Sequence, residues 1–419
     1  MKKHMKNHYI QSVGYVFFAV LSFAHTAAAV DVTPFADPAF EAAVRAELGI
    51  PSPTPITDTD MLVLTNLNAE NQGIADITGI GYALNLQVLG LNNNQLVSLP
   101  VEIGTLSHLT SLWAAGNQLS GVPAAIGNLS QLQYLYLDGN QLSSLPAEIG
   151  SLSNLLELGL SHNQLSSLPV ELGYLTNLTK LYVSFNQLSG LPVEIGNLTS
   201  LTDINLGSNQ LTSLPATIGN LTSLTTLYLA GNQLTSLPAE VGNLTQLTRL
   251  DLANNQLTGL PAEIGNLTQL VWLSLEYNQL ASLPDEIGNL TNLTKLYLSY
   301  NQLHRLPEAM ENLTGLTTLY LWHNPFVTEV YCDTIPDLRY NNLNPDYFKI
   351  WYNPNPNPLT EDCSTDLSDL ADFSAYWLET GCGEGDTWCG GADLNHSGYV
   401  DLEDFAIFCH YWLAEAEQL

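Results

Sequence analysis

The apolar and polar positions of this chain recur every 23 residues through eleven successive repeats, from Leu86 to Asn324. Each repeat reads approximately L-x-x-L-x-L-x-x-N-Q-L-x-x-L-P-x-x-I-G-N-L-x-x. A repeat of this length cannot bury its own leucines, so neighbouring repeats must stack and share a core. The periodicity therefore predicts a solenoid with one long exposed face.

Within each repeat, the first half alternates as a short β-strand with one buried face does. In the repeat that begins at Leu132, Leu135 and Leu137 alternate with Tyr134 and Tyr136. We expect the leucines to point inward and the tyrosines outward. The proline in the second half disfavours a long regular helix, so we expect extended or short 3₁₀ segments there.

This pattern resembles the leucine-rich repeat family, in a short form with L-P-x-x-I-G-N-L in the second half of the repeat. The resemblance implies an α/β solenoid, a horseshoe with a parallel sheet on its concave side. It also implies that the repeated asparagine forms a ladder of hydrogen bonds, because its amide both donates and accepts. The asparagines are Asn94, Asn117, Asn140, Asn163, Asn186, Asn209, Asn232, Asn255, Asn278, Asn301 and Asn324.

Residues 30–85 precede the regular repeats and differ from them. Asp37 and Pro38 predict the start of a helix, Phe40 and Val44 lie on one face of it, and Gly49 predicts its end. A capping-box pattern from Thr57 to Asp60 predicts a second helix start. This segment resembles the helical cap and first repeat of bacterial internalin-like surface proteins, so we expect it to cover the open end of the core.

The first 29 residues have the pattern of a secretory signal peptide. Lysines at the start precede an apolar run over 13–24, and Ala27 to Ala29 form an A-x-A site. Later stretches do not approach the ~20 apolar residues that span a membrane. We therefore expect an exported protein, extracellular or at the cell surface, with no membrane span.

Aligning the repeats places the outward positions in columns, and these columns are rich in Tyr and Trp. They also hold Lys180, Arg249 and Lys295. Rigid aromatic rings are typical of interface anchors and can equally stack on sugars, although the tyrosines could also be only the consensus of the repeat. We predict a protein- or carbohydrate-binding face formed by Trp113, Tyr134, Tyr136, Tyr182, Phe185, Tyr228, Trp272, Tyr277, Tyr297, Tyr300, Tyr320 and Trp322.

The repeats of the solenoid, 86–338, give way to a linker over 339–358, which ends in three consecutive Asn-Pro pairs from Asn353 to Pro358, and then to a small module over 359–419. In this module a twelve-residue loop has oxygen ligands at the spacing of an EF-hand, with Gly398 at the sharp turn. Hard oxygen donors at this spacing predict calcium as the cofactor. The predicted ligands are Asp393, Asn395, Ser397, Tyr399, Asp401 and Asp404.

This loop, a following helix that ends in Tyr-Trp-Leu and a related preceding half resemble the type I dockerin, a small all-α calcium module. The resemblance implies a cohesin partner. In the first half, Pro358 stands where Asp is required and Cys363 where Gly is required, so we expect that site to be degenerate. The alternative is an EF-hand-like module that only adds stability.

Five cysteines lie beyond the regular repeats, and in an exported chain disulfides are expected. Four of them fall in the small module and allow three pairings, between which the sequence does not choose. Zinc is not expected, because there is no C-x-x-C. The cysteines are Cys332, Cys363, Cys382, Cys389 and Cys409.

The formal charge of −31, with 41 acidic and 10 basic residues, disfavours nucleic acid as a partner. The chain has no G-x-S-x-G, H-E-x-x-H, phosphate loop or dinucleotide fingerprint, so we do not expect an enzyme. We predict a secreted recognition protein with a calcium-dependent docking module. The alternative is a non-catalytic subunit of an extracellular polysaccharide-degrading complex, recruited through a dockerin–cohesin contact.

Overall fold

The computed structural model describes residues 35–325 and 349–351. The chain divides into two compact parts, which we call the N-terminal part (up to Gln164) and the C-terminal part (from Leu165). Each part is a stack of parallel strands and 3₁₀ turns, which confirms the predicted solenoid. The predicted signal peptide, the calcium loop and all five cysteines lie outside the described residues, and so does the predicted linker over 339–358 except for residues 349–351, which form a strand.

A helix opens the N-terminal part, as predicted. Helix α1 (Pro38–Leu48) has Asp37 as its N-cap and ends at Gly49, whose φ of 65° suits glycine. One carboxylate oxygen of Asp37 accepts hydrogen bonds from the first turn of α1, and the other accepts one from Ala75 N at 2.6 Å. Asp37 thus joins the helix to the first repeat, and Phe40 and Val44 are fully buried behind it.

The second predicted helix start is also confirmed. Helix α2 (Asp58–Met61) begins with a capping box, in which Asp60 N donates to Thr57 Oγ1 at 3.2 Å and Thr57 N donates to Asp60 Oδ2 at 2.9 Å. The hydrogen bonds from the backbone and the hydroxyl of Thr57 lower the pKa of Asp60 below its usual value. They outweigh burial, which acts in the opposite direction.

The N-terminal part contains five parallel strands, each followed along the chain by a 3₁₀ turn and the next strand. The central residue of each strand is a buried leucine in register with its neighbour 22 or 23 residues away, as Leu89 is with Leu112. The strands are β1 (Asn66–Asn68), β2 (Val88–Gly90), β3 (Ser111–Trp113), β4 (Tyr134–Tyr136) and β5 (Glu157–Gly159).

The C-terminal part repeats this arrangement, again with parallel pairing in register, as between Leu250 and Leu273. The final described strand pairs with the one before it. The strands are β6 (Lys180–Tyr182), β7 (Asp203–Asn205), β8 (Thr226–Tyr228), β9 (Arg249–Asp251), β10 (Trp272–Ser274), β11 (Lys295–Tyr297), β12 (Thr318–Tyr320) and β13 (Lys349–Trp351).

The second half of each repeat forms a 3₁₀ turn after its proline, as predicted. A Cβ added to Gly127 would lie 2.6 Å from the carbonyl oxygen of Glu148, so glycine allows adjacent turns to approach closely. The turns are Ile80–Tyr82, Val101–Thr105, Ala124–Asn128 and Ala147–Ser151 in the N-terminal part, and Val170–Tyr174, Val193–Asn197, Ala216–Asn220, Ala239–Asn243, Ala262–Asn266, Asp285–Asn289 and Glu308–Asn312 in the C-terminal part.

The predicted asparagine ladder is present in both parts. Asn140 Oδ1 accepts from Leu119 N at 2.9 Å, and Asn140 Nδ2 donates to the carbonyl oxygens of Ala114 and Leu137, each at 2.9 Å. Leu119 and Ala114 belong to the preceding repeat. Asn140 is only 7% exposed, so its amide satisfies backbone groups that water cannot reach.

Candidate functional site

The outward side chains of the strands and of the turn after each strand form the surface that we call the strand face. In the N-terminal part it holds a depression of about 490 Å³. Trp113, Tyr134 and Tyr136 line it together with Asn92, Ser111, Ala115 and Asp138. The structure thus brings three of the predicted binding residues together around this depression. Trp113 is 37% exposed.

Polar groups in this depression are held in place by neighbouring repeats. Asp138 Oδ1 accepts from Ser161 N at 2.8 Å, and Asn92 Oδ1 accepts from Ala115 N at 2.9 Å. The hydroxyl of Tyr136 donates to Glu157. Burial raises the pKa of Asp138 above its usual range, although the hydrogen bonds from Ser161 and the charge of His162 act in the opposite direction.

In the C-terminal part, aromatic rings and a guanidinium form a continuous cluster across five strands, β8 to β12. The Cζ atom of Arg249 lies 4.3 Å from the ring centroid of Trp272 and 5.2 Å from that of Tyr228. Trp272 contacts Tyr297, with centroids 5.6 Å apart, and Tyr297 meets Tyr320 edge to face at 4.9 Å. Such contacts stabilise by about 0.5–1.5 kcal/mol each.

Beside this cluster, three rings stack in the turn that follows the strands. The ring centroids of Tyr277 and Tyr300 are 4.2 Å apart, and their planes are inclined by 10°. Those of Tyr300 and His323 are also 4.2 Å apart, and their planes are inclined by 23°. The two tyrosines remain 48% and 40% exposed. We call Tyr277, Tyr300 and His323 the ring stack.

The backbone at the ring stack is left-handed, with φ of 55° at Tyr277, 58° at Tyr300 and 52° at His323. This conformation is uncommon for bulky side chains and favours glycine or asparagine. The equivalent position is also left-handed in the other repeats, where its residues are Asn93, Gly116, Gly139, His162, Phe185, Ser208, Gly231 and Asn254.

Two half-buried carboxylates, Asp251 and Glu276, also belong to the strand face of the C-terminal part. Burial raises the pKa of Asp251, against the hydrogen bonds from Ala253 and Ser274 and the charge of Arg249. Burial also raises the pKa of Glu276. The charge of Asp251 adds to this rise, and a hydrogen bond from Ser299 opposes it.

The remaining predicted residues also lie on the strand face of the C-terminal part. Tyr182 and Trp322 are partly buried, and Phe185 is 53% exposed. Sequence reasoning missed the roles of Asp138 and Glu276 among the outward positions. The available signal was their register, since both occupy the seventh position of the repeat, immediately after the strand leucines.

Within the described residues, 35–325 and 349–351, no group of three or more His, Cys, Asp or Glu side chains is arranged to hold a metal ion. Their helices are also too short or too polar to cross a bilayer.

Two family models, both of leucine-rich repeats, match this sequence. The model described as "Leucine-rich repeat region" matches residues 124–213, 203–271 and 242–339, and "Leucine rich repeat" matches 84–142. Together these matches extend over more than half of the chain. No curated protein matches the sequence significantly.

Solved structures give further matches. An LRR protein of Leptospira interrogans is 34% identical, with 68% of this chain and 82% of that protein covered and a TM-score of 0.50. An internalin, InlF of Listeria monocytogenes, is 26% identical over 76% of this chain and 95% of that one, with a TM-score of 0.58. The plant peptide hormone receptor RGFR1, solved with RGF2, is 32% identical over 64% of this chain and 49% of the receptor, with a TM-score of 0.54.

Proposed function

Because this chain belongs to the leucine-rich repeat family, we propose that it is a recognition protein whose strand face binds an extended peptide segment of a partner protein. One observation carries the proposal. The outward positions of the strands present partly exposed aromatic rings, whereas the inward positions are buried aliphatic residues. Exposed aromatic patches of this kind are typical of interaction sites.

The depression in the N-terminal part supplies an anchor point for such a segment. Its volume of about 490 Å³ is in the range of ligand sites, and its lining combines aromatic walls with a few fixed polar groups. Asn92 and Asp138 are held by the backbone of the next repeat, so their free lone pairs are positioned before a ligand arrives. The similarity to RGFR1, a plant peptide hormone receptor, supports a peptide ligand.

A carbohydrate is the second candidate ligand of the depression. Trp113, Tyr134 and Tyr136 offer flat ring surfaces, and Asp138 and Asn92 offer hydrogen-bonding groups beside them. Rings with adjacent polar groups suit a sugar, which presents both apolar faces and hydroxyls.

We test the two ligands by selecting peptides from a random display library and glycans from an array on the full chain. Trp113→Ala and Tyr136→Ala are expected to weaken the selected ligand about tenfold or more, as anchor residues do. Tyr174→Ala is the matched control, because Tyr174 is 64% exposed but lies in a 3₁₀ turn. Equal binding by all three variants would remove the depression of the N-terminal part as the binding site. A strand-face ligand found only among the glycans would replace the peptide with a sugar.

We further propose that the protein acts outside the cell and carries a calcium-dependent docking module over 359–419. The support is the sequence pattern of Asp393, Asn395, Ser397, Tyr399, Asp401 and Asp404 and the N-terminal signal pattern. A cohesin-type partner, and with it the role of a subunit in a polysaccharide-degrading complex, remains the alternative within this proposal.

Calorimetric titration of the full chain with calcium tests the docking module. We expect one ion to bind with a Kd of about 10⁻⁴ M or below, and the variants Asp393→Ala and Asp404→Ala to lose it. Asp285→Ala, which changes a carboxylate in a 3₁₀ turn of the C-terminal part, is the control. If the wild-type chain takes up no calcium, the metal assignment is wrong. Capture of a cohesin module only with calcium present would support the alternative role.

A further inference from the structure

A buried hydroxyl, that of Ser111, lies at the floor of the depression in the N-terminal part. Ser111 occupies the third position of its repeat, in register with Val88 on one side and Tyr134 on the other. It is only 7% exposed, yet it lines the depression together with Trp113. Among the described residues, its hydroxyl has no hydrogen-bond partner. Because buried polar groups normally have one, this hydroxyl is available to a ligand.

The depression is open because the ring of Tyr136 lies over the neighbouring strand. Gly159 on β5 is in register with Tyr136. A Cβ added to Gly159 would lie 2.6 Å from Tyr136 Cδ1 and would also overlap Asp138 Oδ2. The hydroxyl of Tyr136 donates to Glu157, which is also on β5. Tyr136 therefore leans away from Trp113 on β3, and a space remains between the two rings.

The surroundings of Ser111 determine which chemical group suits the floor. Trp113, Tyr134 and Val88 offer aromatic and aliphatic contacts, so the body of the group should be apolar. A charged tip would lose its water there and meet a neutral hydroxyl, which costs free energy. Asp138 lies four positions further along the next repeat, on the order of 10 Å away, and its carboxylate disfavours an anion in the same depression.

A phenol suits this floor better than a sugar does. A sugar carries hydroxyls around its whole ring, and several of them would be buried against Trp113 and Tyr134, whereas the floor offers the single hydroxyl of Ser111. Each buried hydroxyl without a partner costs free energy. A phenol has one hydroxyl at the end of a flat apolar ring, and this hydroxyl can both donate and accept.

We propose that the depression binds a tyrosine side chain of the partner peptide, with its ring between Trp113 and Tyr136 and its hydroxyl on Ser111. The third and fifth positions are about 7 Å apart along a strand, so a ring beside Trp113 reaches Ser111 with its tip. Gly159 determines the specificity, because it lets Tyr136 lie over β5 and so admits the ring. The inference rests on the proposed function and names the partner chemistry of the same depression.

The test uses three pools of nonapeptides with random residues around a fixed central residue, which is tyrosine, phenylalanine or arginine. Each pool is passed over the immobilised full chain, and the retained peptide is quantified by mass spectrometry. We expect the tyrosine pool to be retained about fivefold more than the phenylalanine pool, which is the effect of one hydrogen bond to a buried hydroxyl. Equal retention of these two pools, or stronger retention of the arginine pool, would overturn the proposal.

Variants locate the preference for tyrosine. Ser111→Ala should equalise the tyrosine and phenylalanine pools, because it removes the hydroxyl and keeps the rings. Gly159→Ala should lower retention of both pools about tenfold, since its Cβ displaces Tyr136 into the depression. Gly90→Ala is the matched control at the same repeat position, where the nearest neighbour of the Cβ would be Glu70 Oε1 at 3.3 Å. If Ser111→Ala keeps the preference, Ser111 does not bind the phenol and the proposal is wrong.

Failure of this proposal is distinguishable from failure of the proposed function. Library peptides that depend on Trp113, without a preference for the tyrosine pool, would leave the depression as a peptide site and remove the tyrosine assignment alone. Library peptides that bind Trp113→Ala and Tyr136→Ala as well as the wild type would remove the depression as the peptide site, and the tyrosine site with it.

Discussion

The N-terminal and C-terminal parts build the same strand face from the same repeat, but they treat the left-handed position after the strand differently. In the N-terminal part this position is filled mainly by residues that tolerate it, such as Asn93, Gly116 and Gly139. In the C-terminal part, Tyr277 and Tyr300 occupy it and stack. The backbone at this position is left-handed in both parts, so the fold sets the conformation. The tyrosines are not residues that this conformation favours, so their presence is a property of the surface and not a requirement of the fold.

The carboxylates of the two parts also differ in the charges that act on them. Asp138 accepts a 2.8 Å hydrogen bond from Ser161 N, and the charge of His162 lies near it. Burial raises the pKa of Asp251 and that of Glu276, and the charge of Asp251 adds to the rise at Glu276. In the C-terminal part, therefore, the charge of one carboxylate acts on another, whereas the charge that acts on Asp138 is that of His162.

The largest expected effect on stability comes from removing an asparagine of the ladder, which both parts contain. Asn140→Ala in the N-terminal part and Asn278→Ala in the C-terminal part should each lower the free energy of unfolding by about 3 kcal/mol or more, because buried backbone groups lose their partners. The hydrogen bonds of Asn278 match those of Asn140, with Leu257 N at 3.0 Å and the carbonyl oxygen of Leu252 at 2.9 Å. Urea unfolding, with hydrogen exchange to locate the opened repeats, measures the effect.

Asn243→Ala serves as the control, because Asn243 is exposed in a 3₁₀ turn and makes no such bonds. Its unfolding midpoint should remain close to that of the wild type. A large loss for Asn140→Ala and none for Asn278→Ala would mean that the two parts do not share the ladder as a source of stability.

A smaller effect concerns the left-handed position. Gly139→Ala should lower the free energy of unfolding by about 1 kcal/mol, because its φ of 63° disfavours any Cβ, although the Cβ would make only an ordinary contact, 3.5 Å from Gly116 N. Tyr300→Gly should change stability by less than this, since relief of strain and loss of stacking offset each other. Thermal unfolding compares the two.

Gly121→Ala is the matched glycine control. Its Cβ would meet nothing within 4 Å, and its φ is outside the left-handed region, so stability should be unchanged or slightly raised. If Tyr300→Gly proves clearly more stable than the wild type, stacking contributes little, and strain dominates the difference between the parts.

The smallest effect concerns charge. The folded pKa values of Asp251 and Glu276 lie above their ordinary values, so the folded state binds more protons than the unfolded state between these limits. Stability therefore falls as the pH rises from the ordinary values through the raised ones, and the loss persists at neutral pH. Asp251→Asn/Glu276→Gln should raise stability at pH 7 by a few tenths of a kcal/mol, because the groups are partly screened by solvent.

The same double variant should lose its advantage near pH 3, where the wild-type carboxyl groups are protonated. Melting temperatures across this pH range provide the measurement, with Glu263→Gln, in an exposed 3₁₀ turn, as the control. A pH-independent gain would point to packing at the substituted positions and not to relief of repulsion.

The periodicity of the sequence was sufficient for most of the fold. Buried leucines at strand centres, the asparagine ladder, the capping box at Thr57 and the 3₁₀ turns after each proline follow from local spacing and are confirmed. Register also placed Trp113 and Tyr136 on the outward face. These features depend on nearest neighbours in the chain or on one repeat length, which a single sequence displays.

Other features could not be predicted because they depend on contacts between columns. The stacking of Tyr277 on Tyr300 depends on a left-handed backbone that only Asn and Gly at equivalent positions could have suggested. The burial of Glu276, which raises its pKa, depends on how side chains of adjacent repeats pack around it. The calcium loop and the signal peptide lie outside the described residues and stay predictions.

The bonding of the asparagine ladder has a consequence for how such a gene changes. Asn209 and Asn232 each bond to their own repeat and the one before, and both have partners at separations of 21, 26 and 3 residues. Removing or duplicating 69 nucleotides, one repeat of coding sequence, would leave every remaining bond with an equivalent partner. Unequal recombination between near-identical copies can thus lengthen or shorten the protein without inventing a new contact, and aromatic positions can then diverge copy by copy.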